Sequence, residues 1–208
     1  GMWQILFPNK FVRYIDVPQN YEDAVGGKFY VSELEILRDE LAKLRGAPIT
    51  DAEIDASIRV YNDNRAAIRD LYAYRAVKPW QAPTAEVYLV LRAGMVLPPE
   101  EHTQLVREYI AAADALPRPK RDNARVVLTG GFCEQPPLAL IKSIEMSGCY
   151  IVDDDFMLVT RWLLDDVPAH GQPLEELSKA FLHRSASTAA KYDATREDKG
   201  QFLLHQVK

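Results

Sequence analysis

Cysteine, histidine and long apolar runs are scarce in this chain of 208 residues. Two cysteines, Cys133 and Cys149, are too few for a disulfide framework, so we expect a reducing compartment, the cytoplasm. The four histidines are scattered without the spacing of metal ligands, which gives zinc chemistry no support. No apolar run approaches the roughly 18 residues of a transmembrane helix, and we therefore expect no membrane contact.

An excess of positive charge is missing as well. The chain has 25 Lys and Arg against 30 Asp and Glu, which gives a net charge of -5. Because binding to a phosphate backbone needs a basic face, no nucleic-acid partner is expected. The sequence contains neither a P-loop nor a Gly-x-Ser-x-Gly elbow. These absences argue against a P-loop nucleotide-binding site and against a serine hydrolase of the nucleophile-elbow type. With 48% hydrophobic and 26% charged residues, the composition is that of a globular protein.

Polar residues follow predicted strands in the second half of the chain. Arg125–Leu128 predicts a short buried strand, and a glycine-containing loop follows at 129–134. Pro136-Pro137 opens a helix, and Tyr150–Val152 predicts the next strand. Such strand–loop–helix–strand units place their loops beyond the carboxyl ends of the strands, where ligands usually bind.

The remainder of the sequence predicts one more strand, Phe11–Val17, and many helices. Ser32 and Thr50 each precede a glutamate by three residues, the spacing of a capping box, and so predict the starts of two long helices. Gly46 ends the first of these, and Thr84 is a predicted cap of a shorter one. Further helices are predicted from Pro98 to about 115 and near 155–164, 174–184 and 196–207.

These elements predict an α/β fold: a small parallel sheet covered by helices in Rossmann-like layers, with a large helical insertion. The α/β domain would comprise residues 1–28 and 117–208, and the helical insertion or layer residues 29–116. Three strands make a thin sheet, and the chain ends on a helix where a further strand would naturally follow. We therefore expect a fragment of a longer subunit, and an open sheet edge predicts that the isolated chain forms a homodimer.

The loop after the first of the paired strands carries a thiol beside a carboxylate, Cys133 and Glu134. Cys133 either lies near a substrate or cofactor, with a pKa lowered at a helix amino terminus, or is a small buried loop residue. Glu134 either transfers protons or caps the following helix. Gly130 and Gly131 either direct backbone N–H groups at an anion or form a tight turn.

Three acids, Asp153 to Asp155, end the second strand of the unit. Asp154 is our candidate for acid–base work, although such a group of acids more often includes a cap of the next helix, with the others solvated. Arg161 either reaches a phosphate or carbonyl of a ligand or pairs with one of these aspartates. Cys149 is predicted to be core, and the aromatic residues Tyr72, Tyr74 and Trp80 are predicted to pack or to line a subunit interface.

The pattern Gly-x-x-Cys-Glu-x-Pro at 130–136, followed by Val-x-Asp-Asp at 152–155 and by Arg161, resembles the benzoyl-CoA reductase / 2-hydroxyacyl-CoA dehydratase family. Asp16-Val17-Pro18 and the long helical middle agree with the resemblance, which covers nearly the whole chain. The chain looks most like a benzoyl-CoA reductase-type subunit. Members of this family are usually longer and hold a [4Fe-4S] cluster through cysteines, whereas two cysteines predict that this chain alone binds none.

The resemblance implies an oxidoreductase that passes low-potential electrons to an acyl-CoA thioester, as in the anaerobic degradation of aromatic compounds. It places Gly130, Gly131, Cys133 and Arg161 at the substrate, Glu134 and Asp154 in catalysis, and Cys133 as a candidate iron ligand. Its implied partners are a homologous subunit, an ATP-driven activator and an acyl-CoA, whose few phosphates need only a local basic patch. Three alternatives stay open: a 2-hydroxyacyl-CoA dehydratase subunit, a non-catalytic scaffold of such a complex, and an unrelated α/β ligand-binding domain. The isolated chain is expected to be inactive.

Overall fold

The computed structural model describes residues 1–128, 137–154 and 165–184, together with Leu204. These residues form a mixed α/β structure that is mostly helical and contains a two-stranded parallel sheet, which confirms the predicted fold class. The helices are α1 (Met2–Leu6), α2 (Lys28–Arg45), α3 (Asp51–Val77), α4 (Thr84–Ala93), α5 (Pro99–Ala115), α6 (Leu138–Met146) and α7 (Pro173–Lys179). The strands are β1 (Ala124–Leu128) and β2 (Cys149–Asp154), and single π-helical turns occupy Asp23–Gly27 and Ala180–Arg184.

The sheet and α6 form the predicted strand–helix–strand unit. β1 and β2 run parallel, with Ala124 opposite Cys149 at one edge and Leu128 opposite Asp154 at the other. Ile141 of α6 is fully buried and anchors that helix. Both carboxyl ends therefore lie at the same edge of the sheet.

The long helix α3 begins at the predicted capping box. The Thr50 side chain accepts a hydrogen bond from the Glu53 N–H, and the Glu53 carboxylate accepts one from the Thr50 N–H at 2.8 Å. The hydrogen bond from the Thr50 backbone, followed by that from Arg45, lowers the pKa of Glu53 to about 2. From this start α3 packs against α4 and α5 around one apolar cluster: Ala67, Ile68, Leu71, Ala82, Val87, Leu91 and Val106.

The predicted strand at Phe11–Val17 is wrong, because the structure gives these residues no regular secondary structure. Within the described residues the sheet consists of β1 and β2, and neither strand pairs with residues 11–17. Tyr14 is 83% exposed and Phe11 47% exposed, so the apolar pattern does not mark a buried face here. An apolar run becomes a strand when a neighbouring strand takes up its backbone hydrogen bonds, and that partner is missing in the described part of the chain.

Two predicted helix starts also differ. Ser32 lies inside α2, because the π-helical turn at Asp23–Gly27 runs directly into a helix that begins at Lys28. Thr84 is the first residue of α4 rather than its cap. The carboxylate of Glu145, on α6, accepts the Thr84 N–H at 2.9 Å and so satisfies a helix-start donor from a distant part of the chain.

Candidate functional site

The structure describes one of the six candidate residues, Asp154. The other five lie outside the described residues, and their roles stay predictions: Gly130, Gly131, Cys133, Glu134 and Arg161. Four of them follow Leu128 closely in the sequence, and Leu128 lies opposite Asp154 in the sheet.

Asp154 is the last residue of β2, and its side chain is fully buried. One carboxylate oxygen accepts a hydrogen bond from Arg75 Nη2 at 2.8 Å. The Tyr72 hydroxyl donates to the same carboxylate at 3.2 and 3.3 Å. Asp153 lies 4.0 Å from Arg75 and keeps some exposure to solvent. A carboxylate that accepts hydrogen bonds from a cation and a hydroxyl is held in one position.

Arg75 comes from α3 and is completely buried. Its guanidinium carbon lies 4.4 Å from the centroid of the Tyr72 ring, close enough for a cation–π contact. Burial lowers the pKa of Arg75, but Asp154 and then Tyr72 outweigh it, so the net shift is upward and the group stays charged. Within the described residues, Arg75 Nε and Nη1 have no hydrogen-bond acceptor. A buried N–H without a partner costs about 1–3 kcal/mol.

Sequence reasoning missed Arg75 and treated Tyr72 as a packing residue. A signal was nevertheless present in the sequence. Arg75 follows Ile68 by seven residues and Leu71 by four, which puts it on the apolar stripe of α3. A charged residue at a core position needs a buried partner, and Asp154 is that partner.

A second part of α3 holds the chain beyond residue 164. The Asn62 side-chain amide donates to the Val167 carbonyl at 2.8 Å and accepts the Val167 N–H at 2.9 Å. Arg69 pairs with Asp166 at 3.0 Å, on the exposed side of the helix. One helix therefore binds both Asp154, which precedes residues 155–164 in the sequence, and Val167, which follows them.

The chain's own residues do not fit a complete iron–sulfur site. A [4Fe-4S] cluster with four cysteine ligands needs more thiolates than the two in this sequence. Cys149 is a half-buried free thiol at the opposite end of β2 from Asp154. Among the described residues, no group of three His, Cys, Asp or Glu side chains could hold a metal ion.

No helix in the described part of the chain is long and apolar enough to cross a membrane.

A parallel β–α–β unit with a buried carboxylate at its carboxyl edge is an arrangement that binds ligands in many α/β proteins. Comparison with known families is more specific: the model of the 2-hydroxyglutaryl-CoA dehydratase, D-component family matches residues 1–208. The chain belongs to that family.

The relatives come from two kinds of enzyme. The chain is 58% identical to a benzoyl-CoA reductase subunit of Thauera aromatica over 208 residues, which is 100% of this chain and 54% of the relative. It is 30% identical to lactoyl-CoA dehydratase subunit beta of Anaerotignum propionicum over 91% of this chain and 50% of the relative. The (R)-phenyllactyl-CoA dehydratase beta subunit of Clostridium sporogenes is 25% identical over 93% of this chain and 50% of the relative. The chain thus spans about half the length of the curated relatives it matches.

Proposed function

We propose that this chain is part of an iron–sulfur enzyme of the benzoyl-CoA reductase type, which transfers low-potential electrons to an acyl-CoA thioester and reduces its aromatic ring. The observation that carries the proposal is the gap in identity. The chain shares 58% of its residues with a benzoyl-CoA reductase subunit over its whole length, against 30% and 25% with two dehydratase beta subunits.

The contribution of Asp154 in this proposal is a fixed negative charge at the carboxyl edge of the sheet. Arg75 and Tyr72, both on α3, donate hydrogen bonds to its carboxylate, so the group keeps one orientation towards any ligand at this edge. Water is excluded from the pair, because both side chains are fully buried. Exclusion of water strengthens electrostatic interactions and would protect a radical intermediate from side reactions.

The loop residues have proposed roles at the same edge. Backbone N–H groups at Gly130 and Gly131 would bind an anionic oxygen of the substrate. Cys133 would lie against the thioester or an iron–sulfur centre, Glu134 would transfer a proton, and Arg161 would bind a phosphate or the thioester carbonyl.

An iron–sulfur cluster would supply single low-potential electrons, a chemistry that amino-acid side chains lack. Two cysteines do not complete its ligand set, so we propose that most ligands lie outside this chain. The proposed partners are accordingly a homologous subunit and an ATP-driven activator that donates electrons, with the cytoplasm as the compartment.

A 2-hydroxyacyl-CoA dehydratase subunit is the second candidate. The family model and the 30% identity to lactoyl-CoA dehydratase subunit beta favour it. A third candidate, a non-catalytic scaffold within such a complex, is favoured by the small number of cysteines.

Turnover by the assembled complex separates these functions. The complex, its activator and ATP would be incubated without oxygen with benzoyl-CoA or with a 2-hydroxyacyl-CoA. A reduced ring supports the proposal, and loss of water from the hydroxyacyl substrate supports the second candidate. Asp154→Asn in this chain should lower turnover if the chain is catalytic and leave it unchanged if the chain is a scaffold, provided that the variant complex assembles normally.

Anaerobic reconstitution of the chain with iron and sulfide tests where the ligands lie. A colourless protein without bound iron is expected. A stable cluster near four irons per chain or dimer would overturn the placement of ligands outside the chain.

A further inference from the structure

His102, on α5, is 1% exposed and contacts two other helices. Its Nε2 lies 3.0 Å from the Val90 carbonyl oxygen of α4, and its Nδ1 lies 2.9 Å from the side-chain nitrogen of Asn64 on α3. The ring also lies against Gly94, just after α4, where an added Cβ would be 2.6 Å from the imidazole Cε1. One buried side chain therefore links α5 to both α3 and α4.

The other hydrogen bonds of Asn64 fix the direction of its bond to His102. Asn64 Nδ2 lies 3.2 Å from the Pro99 carbonyl oxygen and 3.0 Å from the Thr103 hydroxyl oxygen. The Thr103 hydroxyl donates its own proton to the Pro99 carbonyl at 2.7 Å, so it accepts from the amide. A flipped amide would place its oxygen against the Pro99 oxygen, with no proton between them. The amide nitrogen is therefore the donor, and His102 Nδ1 is the acceptor.

An accepting Nδ1 sets the protonation state of the ring. A neutral imidazole carries one proton, which must then be on Nε2, where it is donated to the Val90 carbonyl. A second proton would enter at Nδ1 and would face an N–H of Asn64. The charged imidazole would lose its bond to α3 and would be buried with an unsatisfied donor, which is costly. It is accommodated only if the helices separate and water reaches the ring.

Within the described part of the chain, charged groups do not offset this cost. The charged residues nearest in sequence to the contacts of His102 are Asp63 and Arg65 on α3, Arg92 on α4 and Glu101 on α5. None of them contributes to the pKa of His102, which burial lowers from 6.5 and which the Val90 carbonyl raises to a smaller extent. The described residues of these three helices thus provide no carboxylate that stabilises a charged imidazole.

We propose that the contacts of His102 with Asn64 and Val90 form a proton-sensitive lock: uptake of one proton by His102 in mildly acidic solution releases α4 from α3 and α5, while the other elements stay folded. α4 also contacts the strand–helix–strand unit, because the Thr84 N–H donates to Glu145 of α6. Release of α4 therefore loosens the contact between the helical layer and that unit. The inference does not depend on the proposed function.

The direction of the pH effect follows from where the proton binds more tightly. In the released state His102 is solvated and binds a proton with its ordinary pKa of 6.5, whereas in the locked state it binds one only at lower pH. The lock is therefore fully stable above pH 6.5 and weakens as the pH falls below that value. One proton per opening raises the opening constant of α4 by up to about tenfold for each pH unit.

Hydrogen exchange of the 208-residue chain, followed by NMR at about pH 7.5 and about pH 5.5, tests the lock. Protection factors, which correct for the intrinsic pH dependence of exchange, should fall up to about tenfold for the amides of α4 and stay constant for those of α3. His102→Gln keeps a donor and an acceptor but does not titrate, so its α4 protection should be independent of pH. His170→Gln removes a histidine whose side chain is 58% exposed and should retain the wild-type response.

Nitrogen NMR of the imidazole rings gives a readout that needs no substitution. In the wild-type chain His102 should carry its proton on Nε2 at about pH 7.5 and should titrate below 6.5. Asn64→Asp offers a carboxylate to an Nδ1–H, so it should raise the pKa of His102 and abolish the acid-induced loss of α4 protection. A proton on Nδ1 in the wild-type chain, or α4 protection that does not change with pH, would overturn the lock. The same loss of protection in His102→Gln, or an equal loss in every element, would overturn it as well.

Discussion

Replacing Arg75 with methionine should destabilise the protein more than any surface substitution. The change removes the Arg75 guanidinium from the buried Asp154 carboxylate and leaves the carboxylate next to Tyr72. Removing one partner of a buried ion pair costs about 3–5 kcal/mol, because the remaining charge stays desolvated. In urea, with an m value near 3 kcal/mol/M, the midpoint of unfolding should fall by about 1–2 M.

Two further variants complete a double-mutant cycle and separate the effect of burying a charge from the effect of pairing it. Asp154→Leu alone should be similarly destabilising, because the buried Arg75 guanidinium loses the Asp154 carboxylate. The double variant Arg75→Met/Asp154→Leu should recover most of the loss, because an apolar pair of similar volume has no charge to desolvate. Recovered stability with lost turnover would show that the ion pair serves function.

The control is Arg69→Met on the same helix. Arg69 pairs with Asp166 at 3.0 Å, but both side chains are about half exposed, at 42% and 54%. An exposed pair contributes about 0–1 kcal/mol. The reasoning fails if Arg75→Met costs no more than Arg69→Met, or if the double variant is as unstable as the sum of the two single ones.

Three further outcomes follow from local contacts. Thr50→Ala should lower the free energy of unfolding by about 0.5–2 kcal/mol in urea, because Glu53 loses its reciprocal cap. Burial lowers the pKa of His102 below 6.5, so protons bind preferentially to the unfolded chain. Stability should therefore fall as pH drops below 6.5, and His102→Gln should flatten that slope in urea melts at about pH 5 to 8. Gly26→Ala should cost at least about 1–3 kcal/mol, since a Cβ would overlap the Asn20 carbonyl oxygen.

Each of these outcomes has a matched control or a contradicting result. Ser32→Ala should be neutral, because Ser32 is exposed inside α2 and caps nothing; a loss equal to that of Thr50→Ala would contradict the capping argument. An unchanged pH slope in His102→Gln would assign the acid sensitivity to other groups. Gly27→Ala should cost less than Gly26→Ala, since its nearest contact is the flexible Leu182 Cδ1 at 3.2 Å.

The parts of the fold that were predictable are those fixed by neighbours in sequence. Thr50 and Glu53 are three residues apart, and their cap is confirmed. Gly46 ends α2 with a left-handed backbone, φ 75°, as its position predicted. The strand–helix–strand unit was also predictable, since apolar runs and prolines mark its parts within about thirty residues.

The parts that were not predictable depend on distant partners. Phe11–Val17 has the pattern of a strand, but no local feature reveals whether another strand will pair with it. The cap of α4 comes from Glu145, 61 residues away from Thr84. Arg75 and Asp154 lie 79 residues apart, and their pairing follows from the packing of α3 on the sheet.

That separation has a consequence for the order in which the molecule is made. Arg75 leaves the ribosome 79 residues before Asp154, and at about 5–20 residues per second the delay is about 4–16 s. During this interval the guanidinium lacks the carboxylate that pairs with it in the folded chain. The α3 surface that will cover β2 therefore waits for its partner, whereas α4 and α5, which pack on the apolar surface of α3, are synthesised before β2. Synthesis thus makes the helices α3 to α5 available before the sheet.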